Sequence, residues 1–377
     1  MVNYRGVLQH RKRGKQKRSG LPWYVLAGAA IVVVMISGVF LFRSWHHDSE
    51  PTEVKPVVPE VPAVSAPVPP FRAMVYPTPQ ANLLASNGVG VLQPTASGRP
   101  ESGGFGSVRV GRFHEGIDIA ATKRDRAGRP LDQVRAVARG TVGYINRVAG
   151  NSNYGIYVAL VHDDPMGPVY TLYAHLSEVA SGLSIGKQID AGTVLGTMGN
   201  TPVSIIPRTR GHLHFEIGLL SNSRFQEWFR RQRLKPDHGV YNGWNLMGIN
   251  PLVVFAAYHR DPDSSFLDIL KSIPQAFEMV VATSKQLDFF RRYPQLWEGD
   301  EYDGGPMVIA CSENGIPLSG RNASADEKKS LARSKAIVLK ADGTVLGTNG
   351  DHLVEREGRG GWRPGSHSQQ WLEILTY

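Results

Sequence analysis

At 377 residues the chain is long enough for two domains, and its net charge of +9 invites a nucleic-acid partner. Seven of those charges (Arg5, Arg11, Lys12, Arg13, Lys15, Lys17 and Arg18) fall in the first 20 residues with no acidic residue among them, so the excess is a tail and not a binding face, and no nucleic-acid partner is expected. Cys311 is the only cysteine, which excludes an intrachain disulfide and a cysteine-rich zinc site; its apolar setting, residues 307–311, marks a buried, inert thiol.

After the basic tail, residues 1–20, comes a run of 20 uncharged residues, 23–42, rich in Val, Ile, Ala and Leu. At about 1.5 Å per residue a helix of that length spans about 30 Å, the thickness of a bilayer core. Trp23, Tyr24 and Trp45 suit the two interfaces, and the positive charges before the run place the N-terminus in the cytoplasm. Val39-Phe40-Leu41 is too bulky for a signal-peptidase site. Residues 21–45 are therefore expected to be an uncleaved transmembrane signal anchor, with the rest of the chain on the periplasmic or extracytoplasmic side of the cytoplasmic membrane. Nine prolines between 51 and 79 predict a polyproline-rich linker over residues 46–79, a spacer holding the remainder of the chain away from the membrane.

From residue 80 to 259 the sequence changes character: rich in Gly, Val and Thr, with short alternating runs and frequent turn signals. Residues 137–145 read as strand–turn–strand. Residues 155–161 and 169–176 read as a hairpin closed by Asp163-Asp164-Pro165-Met166-Gly167. Helical periodicity first appears at residues 224–234, so an all-β region is expected. Within it, Phe113-His114-Glu115-Gly116-Ile117-Asp118-Ile119 read as a strand puts His114, Gly116 and Asp118 on one face, with the glycine leaving room for an ion. One imidazole and one carboxylate suit zinc. In Thr171-Leu172-Tyr173-Ala174-His175-Leu176, alternation puts Tyr173 and His175 on one face. In Gly211-His212-Leu213-His214-Phe215-Glu216-Ile217, His212, His214 and Glu216 project together and Leu213, Phe215 and Ile217 project oppositely. Taken singly, each of these is more often a strand with surface histidines; the case rests on the set.

The three motifs, His-x-x-x-Asp, Tyr-x-His-Leu and His-Leu-His-Phe-Glu, occur in the order that marks the lysostaphin/LytM-type zinc metallopeptidases, which cleave peptide cross-links of bacterial cell walls, and over residues 85–255 the chain resembles that family. A Gly-spaced strand pair at residues 184–196 and the closing Asn250-Pro251 add to the likeness. The resemblance implies a mainly β fold, an antiparallel LytM-like sheet with a duplicated hybrid motif. It implies zinc held by His114, Asp118 and His214, with His175 and His212 as catalytic histidines flanking the metal-bound water. Three protein ligands leave a fourth position open, as catalytic zinc requires. Glu216 would stand behind the ligands or be purely structural. The chain departs from the family in Ala121-Thr122 and the charged residues 123–126, in the added Leu131-Asp132-Gln133, and in Pro202, Pro207, Arg208 and Arg210 ahead of His212. Those departures fall in loops expected to wall the substrate groove.

Residues 260–377 resemble nothing nameable. Helices are expected at 266–271 and 275–291, a hairpin at 336–346 around Ala341-Asp342-Gly343, and a strand at 370–377, making a small α+β region able to meet wall polymer, a divisome or another cell-wall partner. The expected function is a membrane-anchored zinc metalloendopeptidase acting on peptidoglycan stem peptides. The alternative is a catalytically silent domain that binds or activates another wall hydrolase.

Overall fold

The computed structural model describes residues 69–80, 83–84, 91–94, 100–109, 112–202, 206–358 and 360–377. The expected tail, the anchor at 21–45 and most of the linker lie outside these. Among the described residues no helix is long and apolar enough to cross a membrane.

The first part of the chain carries β1 (Val108–Arg109), β2 (Arg112–Phe113), β3 (Ile117–Ala120), β4 (Gln133–Arg135), β5 (Gly140–Asn146), β6 (Ile156–Asp164), β7 (Gly167–Val179), β8 (Gln188–Ile189), β9 (Val194–Met198), β10 (His212–Leu220) and β11 (Leu246–Ile249), with helices α1 (Phe225–Arg231) and α2 (Pro251–Arg260). Nine of these strands make one antiparallel sheet. Its main path is β11-β10-β7-β6-β5-β8, with β3 on β10 and β9 joining β7 to β4. The expected β architecture and the hairpin of β6 and β7 are as the alternation indicates. α2 begins where Asn250 accepts the Leu252 N–H and Pro251 takes the first helical position, a standard helix start.

β10 organises the sheet. Leu213, Phe215, Ile217 and Leu219 enter the main core, while His212, His214 and Glu216 take the opposite face. Register pairs His214 with Asp118 on β3 and with Ala174 on β7, so residues far apart in sequence become cross-strand neighbours. Gly116 is needed for that approach: a Cβ there would collide with the Phe215 carbonyl oxygen, so the glycine serves strand contact and not space for an ion.

The second part comprises α3 (Phe266–Lys271), β12 (Phe277–Val281), α4 (Asp288–Arg292), β13 (Met307–Cys311), β14 (Pro317–Asn322), α5 (Ala325–Leu331), β15 (Ala336–Ala341), β16 (Val354–Glu357), β17 (Gly361–Pro364) and α6 (Ser368–Leu375). A four-stranded sheet runs β14-β13-β12-β15. The α+β character and α3 agree with the sequence, but three local expectations fail. Residues 275–291 hold a strand and then a short helix, because Phe277, Met279 and Val281 alternate into the core of a sheet. β15 pairs with β12, not with residues 344–346. The chain end is helical: Ser368, Leu372 and Leu375 recur at helical spacing and bury one face. Cys311 is fully buried, and burial pushes its thiol well above the ordinary value.

The linker boundary also moves. Residues 70–73 form a 3-10 turn whose Phe71 is fully buried, its ring 4.9 Å from His162 and 5.5 Å from Phe266. Polyproline geometry has no means of satisfying a phenyl ring in water, and the ring finds the core. One hydrophobic core then continues from Phe71 through Phe215 and Phe255 to Phe277 and Phe289, shared by both parts of the chain. The described residues from 69 to 377 accordingly belong to a single compact unit.

Candidate metal and catalytic site

His114 Nε2, Asp118 Oδ1 and His214 Nδ1 converge. His114 Nε2 lies 3.2 Å from Asp118 Oδ1 and 3.0 Å from His214 Nδ1, and His214 Nδ1 lies 3.0 Å from Asp118 Oδ1. All three residues are buried. The outward nitrogens fix the tautomers. His114 Nδ1–H donates to the Gly104 carbonyl at 2.8 Å, and His214 Nε2–H donates to Glu216 Oε1 at 2.7 Å. In those tautomers two imidazole lone pairs and a carboxylate oxygen point at one another, an arrangement of acceptors that calls for a cation, either a metal ion or a proton on His214 Nδ1.

Electrostatics gives the same answer. Burial pushes the His214 pKa down, but hydrogen bonds to Asp118 and Glu216 outweigh it and hold it up at about 9. Burial raises Asp118, yet the His212 and His114 rings bring it well below the usual carboxylate range. This is a pocket built for positive charge. These three residues are the set among the described residues whose ligand atoms lie close enough, within 4.8 Å of one another, to hold a metal ion. Two nitrogens and one oxygen fit zinc.

The remaining two histidines close over the same point. His212 Nδ1–H donates to the Arg210 carbonyl at 2.8 Å, turning Nε2 inward to 3.2 Å from Asp118 Oδ2, where it is buried without a well-aligned hydrogen bond. His175 Nδ1–H donates to the Thr201 carbonyl at 2.5 Å. Its ring centroid lies 4.9 Å from that of His212 and 5.8 Å from that of His214. Burial, then the neighbouring His212 and His214 rings, push His175 well below its ordinary pKa, which keeps the imidazole neutral.

His175 reaches the site by a route that simple alternation does not give. Tyr173, expected on its face, points into the main core beside Phe215, with its hydroxyl accepting the Val137 N–H at 2.9 Å. A regular strand would send His175 the same way. Instead the β6–β7 register shifts at this point, and His175 takes φ +62°. A bulge with a left-handed residue swings the imidazole to the opposite face.

A layer of supporting groups surrounds the cluster. Glu216, buried behind His214, also accepts from Tyr154 OH and Tyr170 OH, each at 2.8 Å. Burial raises its pKa, but these donors and His214 bring it below the ordinary value, so it stays ionised and anchors the imidazole. Neither tyrosine is marked out by sequence pattern. Gly104 and Thr201 act through carbonyls, which any residue possesses, and so carry no signal in the sequence either. Beside the site, Arg124 donates to the carbonyls of Arg208 and Gly211, and Asp132 accepts the backbone N–H groups of Thr122 and Lys123. The loops that depart from the family pattern thus brace one another next to His212.

Residues 112–225, less than a third of the chain, match the model of peptidase family M23, and the lysostaphin/LytM likeness rests on that stretch. Similar solved structures include Csd3 of Helicobacter pylori, 25% identical over 31% of this chain and 28% of that one, with a TM-score of 0.23. The catalytic domain of the antimicrobial peptidase lysostaphin from Staphylococcus simulans is 24% identical over 30% of this chain and 76% of that one, with a TM-score of 0.22. For lytM of Ruminococcus gnavus the figures are 22%, 40%, 48% and 0.26. The chain thus spans little more than a quarter of the length of the Helicobacter pylori protein. Among curated proteins no match is found.

Proposed function

We propose that this protein is a zinc metalloendopeptidase that hydrolyses peptide cross-links of bacterial peptidoglycan. The observation that carries it is the convergence of His114, Asp118 and His214, with two more inward-facing imidazoles, inside a stretch matching a peptidase family. Zinc, held by those three residues, would supply Lewis acidity and would lower the pKa of a water toward about 7. The chain's own groups do the rest. His175, neutral and oriented by Thr201, is placed to take a proton. His212, oriented by Arg210, would do the complementary work once its inward Nε2 carries a proton beside Asp118, stabilising developing negative charge or protonating the leaving amine. Glu216 keeps His214 in its ligating tautomer.

The apolar run at 23–42, preceded by basic residues, supports anchoring of residues 21–45 in the cytoplasmic membrane with the catalytic part outside it. Lysostaphin, among the similar structures, is an antimicrobial peptidase, which agrees with a wall substrate. The region past residue 260 is a surface for a divisome or other wall partner in the same proposal.

The test is cleavage of purified sacculi and defined cross-linked dimers by the full chain, followed by mass spectrometry with and without a chelator. Chelator-sensitive conversion of dimers to monomers is expected. His214→Ala should abolish both metal uptake and turnover, and His175→Ala should lower kcat by about 10²- to 10⁴-fold with metal retained. A protein that takes up zinc stoichiometrically and cleaves nothing would instead be a silent domain that binds or activates another hydrolase.

A further inference from the structure

His114 sits in the short stretch between β2 and β3, outside both strands. Strand pairing therefore does not hold it; locally the Gly106 N–H donates to its carbonyl at 3.0 Å and its Nδ1–H to the Gly104 carbonyl at 2.8 Å, and a metal ligand tolerates little displacement. Further ties on the stretch come from beyond residue 260. On one side of His114, Asp351 Oδ1 accepts the Phe113 N–H at 3.3 Å. On the other, Asn314 Nδ2 donates to Glu115 Oε2 at 2.7 Å and to the Gly248 carbonyl at 2.9 Å. The Gly248 N–H donates to the same carboxylate oxygen at 2.7 Å, tying Glu115 to β11 as well. Asn314 is itself fixed: its Oδ1 accepts from Ser312 Oγ at 2.8 Å, and that hydroxyl accepts the Ile316 N–H at 3.0 Å. The approach is close enough that a Cβ on Gly248 would strike the Glu115 carbonyl oxygen.

Resting on the metal site proposed above, we infer that Asn314 is a positioning residue for His114. The region past residue 260 completes the metal site through Asn314 and Asp351; it is not an appendage that could be removed without consequence for the metal. The physical cause is that Asn314 crosslinks Glu115, the residue next to His114, to the edge of the large sheet. Without the amide, Glu115 Oε2 keeps one of its two donors, and the stretch that carries His114 loses a tie to the large sheet.

The measurement is zinc affinity by chelator competition, and the visible spectrum of the cobalt-substituted protein, in the full chain. Asn314→Ala should weaken zinc about 10- to 100-fold and alter the cobalt spectrum. Glu115→Ala should do the same from the other side of the bond, and Glu115→Gln, which keeps an acceptor oxygen, should restore most of the affinity. Val280→Ala, deep in the second sheet, serves as the control for general loss of stability and should leave affinity unchanged. Wild-type affinity and spectrum in both Asn314→Ala and Glu115→Ala would overturn the positioning role alone. That role is equally overturned if Val280→Ala weakens zinc as much as Asn314→Ala does. A wild-type chain that takes up no zinc would overturn the metal site itself, and this role with it.

Discussion

The two faces of the large sheet are both buried around β10, yet they are built on opposite principles. One face holds Leu213, Phe215, Ile217 and Leu219 in a core that runs without a break into the second sheet. The other holds His212, His214 and Glu216, each oriented by a named oxygen or hydroxyl. Apolar packing is non-directional and tolerates adjustment, whereas a buried acceptor cluster depends on every donor around it. The apolar face should therefore govern stability and the polar face ligand chemistry, with little exchange between them.

Phe71→Ala is the strongest way to break that division. It removes a fully buried ring from the apolar face and should cost about 3–5 kcal/mol in denaturant unfolding, while the folded fraction keeps its metal affinity. A fall in affinity to match would show that the faces are not separable.

His162 is a buried titratable group on the apolar face, its ring against Phe71. Its ring nitrogens lie 2.7 Å from the Arg139 carbonyl and 2.8 Å from Thr171 Oγ1, and burial depresses its pKa from 6.5 to about 4. Between those values the unfolded chain binds a proton that the folded chain refuses. Its contribution is thus fully present above pH 6.5 and is lost as pH falls toward 4, a difference of about 3 kcal/mol. Denaturation curves from pH 7 to 4 should show a shallower slope in His162→Gln, whatever its absolute stability.

The smallest effect sharpens the other side. Tyr170→Phe removes one donor from Glu216 and should cost about 2 kcal/mol of stability, with zinc affinity falling about tenfold. A stability loss without any change in affinity would separate Glu216 from the ligand it touches.

Much of the polar face is legible in the sequence because alternation and register are short-range rules. His212, His214 and Glu216 share a face for that reason, and the pairing of β3 with β10 then sets Asp118 against His214. Legibility ends where a rule is broken or where a contact spans the chain. Alternation alone puts His175 on a face it does not occupy, since a bulge cannot be read from Tyr-Ala-His-Leu. Asn314 and Asp351 act on residues 199 and 238 positions away, and no local pattern announces them. Residues 370–377 contain enough apolar side chains to satisfy a strand or a helix, and packing chose the helix.

The left-handed backbone at His175 also bears on how such a motif travels between proteins. Glycine or asparagine adopts that conformation at lower cost, so the position holds an imidazole against the local preference of the chain. Grafting Tyr-x-His-Leu as letters onto an unbulged strand would bury the imidazole among apolar neighbours, with every residue of the motif intact. What must be inherited is the irregularity: a kink of one residue in a ladder, invisible to spelling, that decides on which side of the sheet the chemistry takes place.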